Sequence, residues 1–316
     1  MKGMHSTNPR TALRIICLFW LSLLIGCSRY EAGQAAFDEG DYQTAYSRWE
    51  RLAQFGDARA QNKLGYLYER GLGVSKNTET AFSWYQKSAE SGLASAQNNV
   101  GLCLLHGIGT EPSPVKARKW FELAVAQNYA DAANNLGVLF NQGRGVPENN
   151  ARAFELFELA ANQGIAAAQN NLGLLYRAGK GVSKDLGKAL FWFRRAAASK
   201  HPEAMNNLGV MLDNGEGAMT DKKTALTLFE SAARSGNDKG ALNAAILLER
   251  GVDGVPNLVR AYAWANIAAS RNNKTAAEIK ERLTNQLSIE DIESAQRLSM
   301  NIDQIQTDRY KLDSAP

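Results

Sequence analysis

The stretch NNLGVLFNQGRGV, running from Asn134 to Val146, carries a pair of glycines at Gly143 and Gly145. A paired glycine occurs in two settings. One is a loop that wraps a phosphate, which follows a strand and in Walker-type sites ends in Gly-Lys-Ser/Thr. The other is a turn between two helices, where glycine supplies the left-handed backbone that closes a helix. The flanking residues decide between them. Ala133, Leu136, Gly137 and Phe140 are spaced i, i+3, i+4 and i+7, the period of an amphipathic helix. Beyond the glycines, Ala153, Leu156, Phe157, Ala160 and Ala161 keep that period, and Gly164 closes the second run. The pair therefore reads as a turn joining a helix near 131–142 to one near 150–163.

The same arrangement recurs every 36 residues. The first turn glycine returns as Gly71, Gly107, Gly143, Gly179, Gly215 and Gly251, and the second as Gly73, Gly109, Gly145, Gly181 and Gly217. Between them stand Leu72, Ile108, Arg144, Lys180 and Glu216. A phosphate site would not alternate apolar, basic and acidic residues, so nucleotide binding is set aside. A third glycine column, Gly65, Gly101, Gly137, Gly173 and Gly209, falls inside the first helices. Mid-helix glycine costs about 1 kcal/mol against alanine. Bulky side chains packing onto bare backbone would offset that. The expected occupants are a Trp/Leu column (Trp84, Trp120, Leu156, Trp192, Leu228, Trp264) and a Tyr/Phe column (Tyr85, Phe121, Phe157, Phe193, Phe229). On this reading the aromatics are core, not a cofactor box.

Ala58-x5-Leu64-Gly65-x-x-Tyr68-x-x-Gly71-x-Gly73-Val74, followed by Ala81-x-x-Trp84-Tyr85-x-x-Ser88-Ala89-x-x-Gly92 and five echoes, resembles the Sel-one-like repeat family, a subclass of tetratricopeptide-type repeats. The resemblance implies an all-α fold: a right-handed α-solenoid of antiparallel helix pairs, with six repeats over 58–273. The last copy departs from it, with Ala245 for the helix glycine and Asp253 for the second turn glycine, and is expected to pack and turn differently. Residues 34–57 read as a tetratricopeptide-like capping hairpin. In the segment 274–316, Ser288 is expected to cap a helix whose Ile292, Ala295, Leu298, Ile302 and Ile305 share one face.

Residues 1–26 read as an export signal: Lys2, Arg10 and Arg14 precede an apolar run from Ile15 to Ile25, too short to span a bilayer as a helix. Leu24-Ile25-Gly26-Cys27 resembles the lipobox of bacterial lipoproteins, which implies cleavage before Cys27, lipidation of Cys27 and a short tether over 27–33. Ser28 in place of aspartate points to the outer membrane rather than the inner, with the body in the periplasm. Loss of those three basic residues lowers Lys+Arg from 36 to 33 against 32 acidic residues. A net charge near +1 gives no electrostatic case for nucleic acid. Cys103 is then the one free thiol, which leaves no internal disulfide framework.

Catalytic signatures are sparse. His106 and His201 stand in different repeats, and no metal-ligand spacing or cofactor motif is present. Ser113-Pro114-Val115-Lys116 matches the Ser-x-x-Lys element of penicillin-binding enzymes. Its partners Ser-Asp-Asn and Lys-Thr-Gly are absent, and serine ahead of proline also reads as a helix start. A cell-wall-related hydrolase using Ser113 and Lys116 is the alternative to a binding scaffold. For the scaffold, the candidate partner-binding residues are the column Asn62, Asn98, Asn134, Asn170 and Asn206, together with the variable first-helix ends Glu69, Arg70, His106, Arg177 and Asp213. A neighbouring column, Lys63, Asn99, Asn135, Asn171, Asn207 and Asn243, competes for the same role. Neighbours on a helix point about 100° apart, so one column faces a partner and the other is expected to stitch repeats by bonding the preceding loop backbone. The expected partner is a protein or peptide of the cell envelope.

Overall fold

The computed structural model describes residues 29–314, so the expected signal segment and Cys27 lie outside the described residues. Helix α1 covers residues 29–38. It is followed by α2 (Tyr42–Gln54), α3 (Ala58–Arg70), α4 (Thr78–Glu90), α5 (Ala94–His106), α6 (Pro114–Val125), α7 (Ala130–Gln142), α8 (Asn150–Asn162), α9 (Ala166–Ala178), α10 (Leu186–Ala198), α11 (Pro202–Asn214), α12 (Lys222–Arg234), α13 (Asp238–Arg250), α14 (Leu258–Ser270), α15 (Lys274–Thr284) and α16 (Ile289–Ser314). The chain forms two compact units. The first runs through Ala132 and includes Arg144–Val146; the second holds Ala133–Gly143 and the chain from Pro147. Within the first, α2 to α6 pack each on the next; within the second, α8 to α15 do so, and α16 lies against α14. Each unit is thus a stack of helix pairs, as the α-solenoid reading requires.

Local chemistry starts and stops these helices. Asn77, Asn149, Asp185, Asp221 and Asn257 each precede a second helix and accept a bond from the N–H three residues on, at 2.8–3.0 Å. That satisfies one of the orphan donors at a helix start. Ser113 holds the same position ahead of Pro114, without a side-chain capping bond. First helices end on left-handed glycines, with φ of +73° at Gly71 and +68° at Gly179. The second turn glycine does something the sequence reading did not anticipate. A Cβ on Gly109 would lie 2.0 Å from the Thr78 carbonyl oxygen, and one on Gly181 would lie 2.2 Å from that of Asn150. The loop of one repeat presses its backbone onto the start of the preceding repeat's second helix.

The helix glycines have a single occupant column, the Tyr/Phe one. A Cβ on Gly65, Gly101, Gly137, Gly173 or Gly209 would lie 2.4–2.8 Å from the ring of Tyr85, Phe121, Phe157, Phe193 or Phe229 respectively. The Trp/Leu column does not fill these sites; Trp84 and Trp120 are half-buried beside them. In the last copy both halves of the contact change together. Ala245 takes the glycine position and Ala265 the aromatic one, and both are fully buried. Its turn also differs, with Gly251 at φ +89° but ψ +136°, against ψ +35° at Gly71, Asp253 at φ +55° and a Val252–Val255 bridge.

At the amino-terminal end, residues 29–33 of the expected tether are helical, and Gly33 packs so closely on the fully buried Trp49 that a Cβ would meet its Nε1 at 2.5 Å. At the other end, α15 continues the series of first helices. Ser288 Oγ accepts from the Asp291 N–H at 3.1 Å and starts α16. Ala295 and Ile302 are buried, with Ile292 and Leu298 half-buried; the Ile305 side chain is outside the described set.

Candidate binding face

The two asparagine columns interlock. Asn99 Nδ2 donates to Asn62 Oδ1 at 3.0 Å in the first unit. In the second, Asn171 donates to Asn134 at 3.1 Å, Asn207 to Asn170 at 2.9 Å and Asn243 to Asn206 at 2.8 Å. Each second-column amide thus bonds a first-column amide of the preceding repeat. Asn98, Asn170 and Asn206 are only 5–6% exposed, whereas Asn99, Asn171, Asn207 and Asn243 are half-buried. At Asn170 and Asn206 the second column is thus the side nearer solvent, whereas Asn62 and Asn134 are half-buried like their partners.

Backbone stitching falls to a glutamine column that sequence reading passed over. Gln61, Gln97 and Gln169, all buried, donate to the carbonyls of Ala53, Ala89 and Ala161 in the last turn of the preceding helix, at 3.1, 3.4 and 3.1 Å. A side-chain amide satisfies such a carbonyl where water cannot reach it. Asn171→Ala should cost about 1 kcal/mol, the net worth of one such bond, and leave the helix content unchanged. Chemical denaturation checks this; a loss of several kcal/mol would mean that the ladder holds the stack together.

Beside the ladder runs an apolar column, one residue after the helix glycines. Tyr66 and Leu102 belong to the first unit, and Val138, Leu174, Val210 and Ile246 to the second. Tyr66 is 37% and Leu174 38% exposed, and the others are half-buried. Its signal in the sequence was a position apolar in every copy, next to a glycine already assigned to packing.

The variable helix ends bond across repeats. Arg177 Nε and Nη2 donate to both oxygens of Glu216, at 2.8 and 2.9 Å. This bidentate bond holds the Glu216 carboxyl below its ordinary range. Asp213 pairs with Arg250, and Glu249 takes both bonds from Arg282 at 2.8 Å. Half-exposed pairs of this kind contribute about 0–1 kcal/mol each. In the first unit, Glu69 accepts from the Tyr85 hydroxyl at 2.7 Å, Arg70 lies 5.7 Å over the Tyr66 ring, and His106 is exposed at the end of α5.

Reactive groups are placed differently. His201 caps α11, its Nδ1 accepting from the Ala204 N–H at 3.3 Å, and burial lowers its pKa. Ser113 is half-buried and Lys116 exposed at the start of α6. Cys103 is 2% exposed, and burial pushes its thiol up to about 12. It should stay unmodified by a thiol reagent at pH 8 until denaturant is added; labelling of the folded chain would contradict this placement. Among the described residues no three His, Cys, Asp or Glu side chains are grouped to hold a metal ion, and no helix is long and apolar enough to cross a membrane.

The Sel1 repeat family model matches six consecutive segments: 58–93, 94–129, 130–165, 166–201, 202–237 and 239–273. A crystal structure of a Sel1 repeat protein from Oxalobacter formigenes is 31% identical, with a TM-score of 0.70, over 76% of this chain and 96% of that one. The crystal structure of a protective antigen of uropathogenic Escherichia coli strains, described as displaying an SLR fold, is 26% identical with a TM-score of 0.54, over 92% of this chain and 72% of that one. No curated protein sequence matches the chain.

Proposed function

We propose, from the premise that the chain belongs to the Sel1 repeat family, that it is a binding scaffold whose first helices present a face to a protein or peptide partner. The observation that carries this is the half-exposed apolar column Leu174, Val210 and Ile246 running beside the amides of Asn171, Asn207 and Asn243. An apolar stripe flanked by amides suits an extended segment. Its side chains lose water against the stripe, and its backbone finds donors and acceptors beside it. The rigid stack holds this geometry in advance, which lowers the ordering cost of binding.

The scaffold is tethered by an acyl group on Cys27 to the outer membrane of a bacterial envelope and faces the periplasm, where it supports envelope assembly, secretion or polysaccharide export. The support for this is the basic start, short apolar run and lipobox-like Leu24–Cys27. Metabolic labelling with an alkyne fatty acid should tag the protein, and Cys27→Ser should abolish the tag and release the protein from the membrane fraction.

The face is tested by cross-linking in living cells, with Leu174→Asp/Val210→Asp run beside the parent. Both side chains are partly solvated, so the variant should fold. A co-purified partner should fall about tenfold or more, as expected for two apolar contacts at the centre of an interface. A partner that persists at parental level with a folded variant would remove this face from the reading.

A further inference from the structure

The edge of the cap nearest Cys27 has its own chemistry. Arg29, where α1 begins, follows Cys27 by two residues in the sequence. That start is tied down. The Tyr30 carbonyl accepts from Trp49 Nε1 at 3.3 Å, and the Arg59 guanidinium sits 4.2 Å over the Tyr30 ring. These contacts put the beginning of α1 beside the end of α2 and the beginning of α3. At this edge the Phe55 ring is 85% exposed in the α2–α3 turn. Arg51 and Arg48, four and seven residues earlier, are exposed on the same face of α2, and Arg29 is exposed beside Tyr30. Acidic groups stand here too: Glu31 is exposed, Glu50 accepts from the Tyr46 hydroxyl at 2.6 Å, Glu90 is exposed at the end of α4, and Asp57 caps α3 through the Ala60 N–H and lies 3.6 Å from Arg59.

A solvated aromatic ring beside a basic face, at the end where an acyl group would enter a bilayer, is the composition of an interfacial membrane contact. We propose that this edge of the cap rests on the bilayer, with Phe55 at the headgroup–acyl boundary and Arg48 and Arg51 on anionic headgroups. The inference rests on the reading that Cys27 is acylated. The contact supplies a second attachment beside the acyl chains and orients the first unit on the membrane.

The test uses the full acylated protein with Gln54→Cys carrying an environment-sensitive fluorophore, and Val115→Cys, in the same unit at the start of α6 and 51% exposed, as its control. Cys103 is buried and does not compete for the label. In phosphatidylcholine/phosphatidylglycerol vesicles the probe at 54 should be shielded from an aqueous quencher and the probe at 115 should not. The shielded-to-open ratio should drop about fivefold for each of Arg48→Gln and Arg51→Gln, and should fall with salt and with Phe55→Ser. Equal quenching at 54 and 115, with acylation of Cys27 confirmed by mass, overturns the inference and leaves the acylation standing. Shielding that follows protein rather than vesicle concentration assigns the edge to a second copy and also overturns it. A mass without the acyl group sinks the acylation reading alone. The edge is then judged on that chain with Cys17→Ser and Cys27→Ser, by the same comparison: vesicle-dependent shielding at 54 supports it, and its absence overturns it.

Discussion

Gly109→Ala should destabilise the protein by about 3 kcal/mol or more, whereas Gly92→Ala should cost about 1–2 kcal/mol, although both glycines have positive φ. The left-handed strain is common to the two. The surroundings differ. Nothing lies within 4 Å of a Cβ on Gly92, while a Cβ on Gly109 would lie 2.0 Å from the Thr78 oxygen and 2.8 Å from the Glu79 nitrogen. Those are backbone atoms in the first turn of α4, and they cannot rotate away as a side chain would. The loop after α5 has to lift off α4, opening the contact between successive repeats. In a stack stabilised largely by neighbour contacts, that loss propagates. Denaturation midpoints of the two variants check this; equal midpoints would mean that the second turn glycine serves its own loop and not the repeat junction.

Phe193→Ala should cost about 3–5 kcal/mol, since it empties a fully buried site. The more informative result concerns Gly173→Ala. In the parent it should destabilise, because the new Cβ meets Phe193 Cε1 at 2.8 Å and that overlap outweighs a helix-propensity gain of about 1 kcal/mol. In the Phe193→Ala background the ring is gone and the same change should be neutral or stabilising. The sign therefore reverses, and the double-mutant cycle should show a coupling of about 1–3 kcal/mol. The chain already contains the paired state: the last copy has alanine at both positions, Ala245 and Ala265. Additive effects of the two substitutions would show that glycine and ring do not share one contact.

Helix pairs, their 36-residue period and the turns were legible because they depend on local chemistry. Ala133 to Phe140 shows a helical period on its own, and the turn glycines mark left-handed backbone whatever lies around them. The aromatic filling of the glycine column was half legible. Both the Trp/Leu and the Tyr/Phe columns share the helical period, and composition cannot say which ring crosses to the neighbouring helix. The face was less so. Asn98 and Asn99 are adjacent, of one residue type and equally polar, so their spacing could not tell that Asn98 would be buried and Asn99 half-exposed.

By itself, then, the sequence determined that this protein carries six α-helical repeats of one period, because a repeat writes the same local instruction many times. What the tertiary structure decided is how copies meet. It made the second turn glycine an inter-repeat contact, set the asparagines against one another, gave the backbone carbonyls to Gln61, Gln97 and Gln169, and left Leu174, Val210 and Ile246 partly solvated. The glutamine bonds cross a repeat boundary over eight residues, and the glycine and asparagine contacts reach an atom of another repeat about 30 to 40 residues away in the chain. Such a distance leaves no trace in local periodicity and is closed only when one pair of helices stacks on the next.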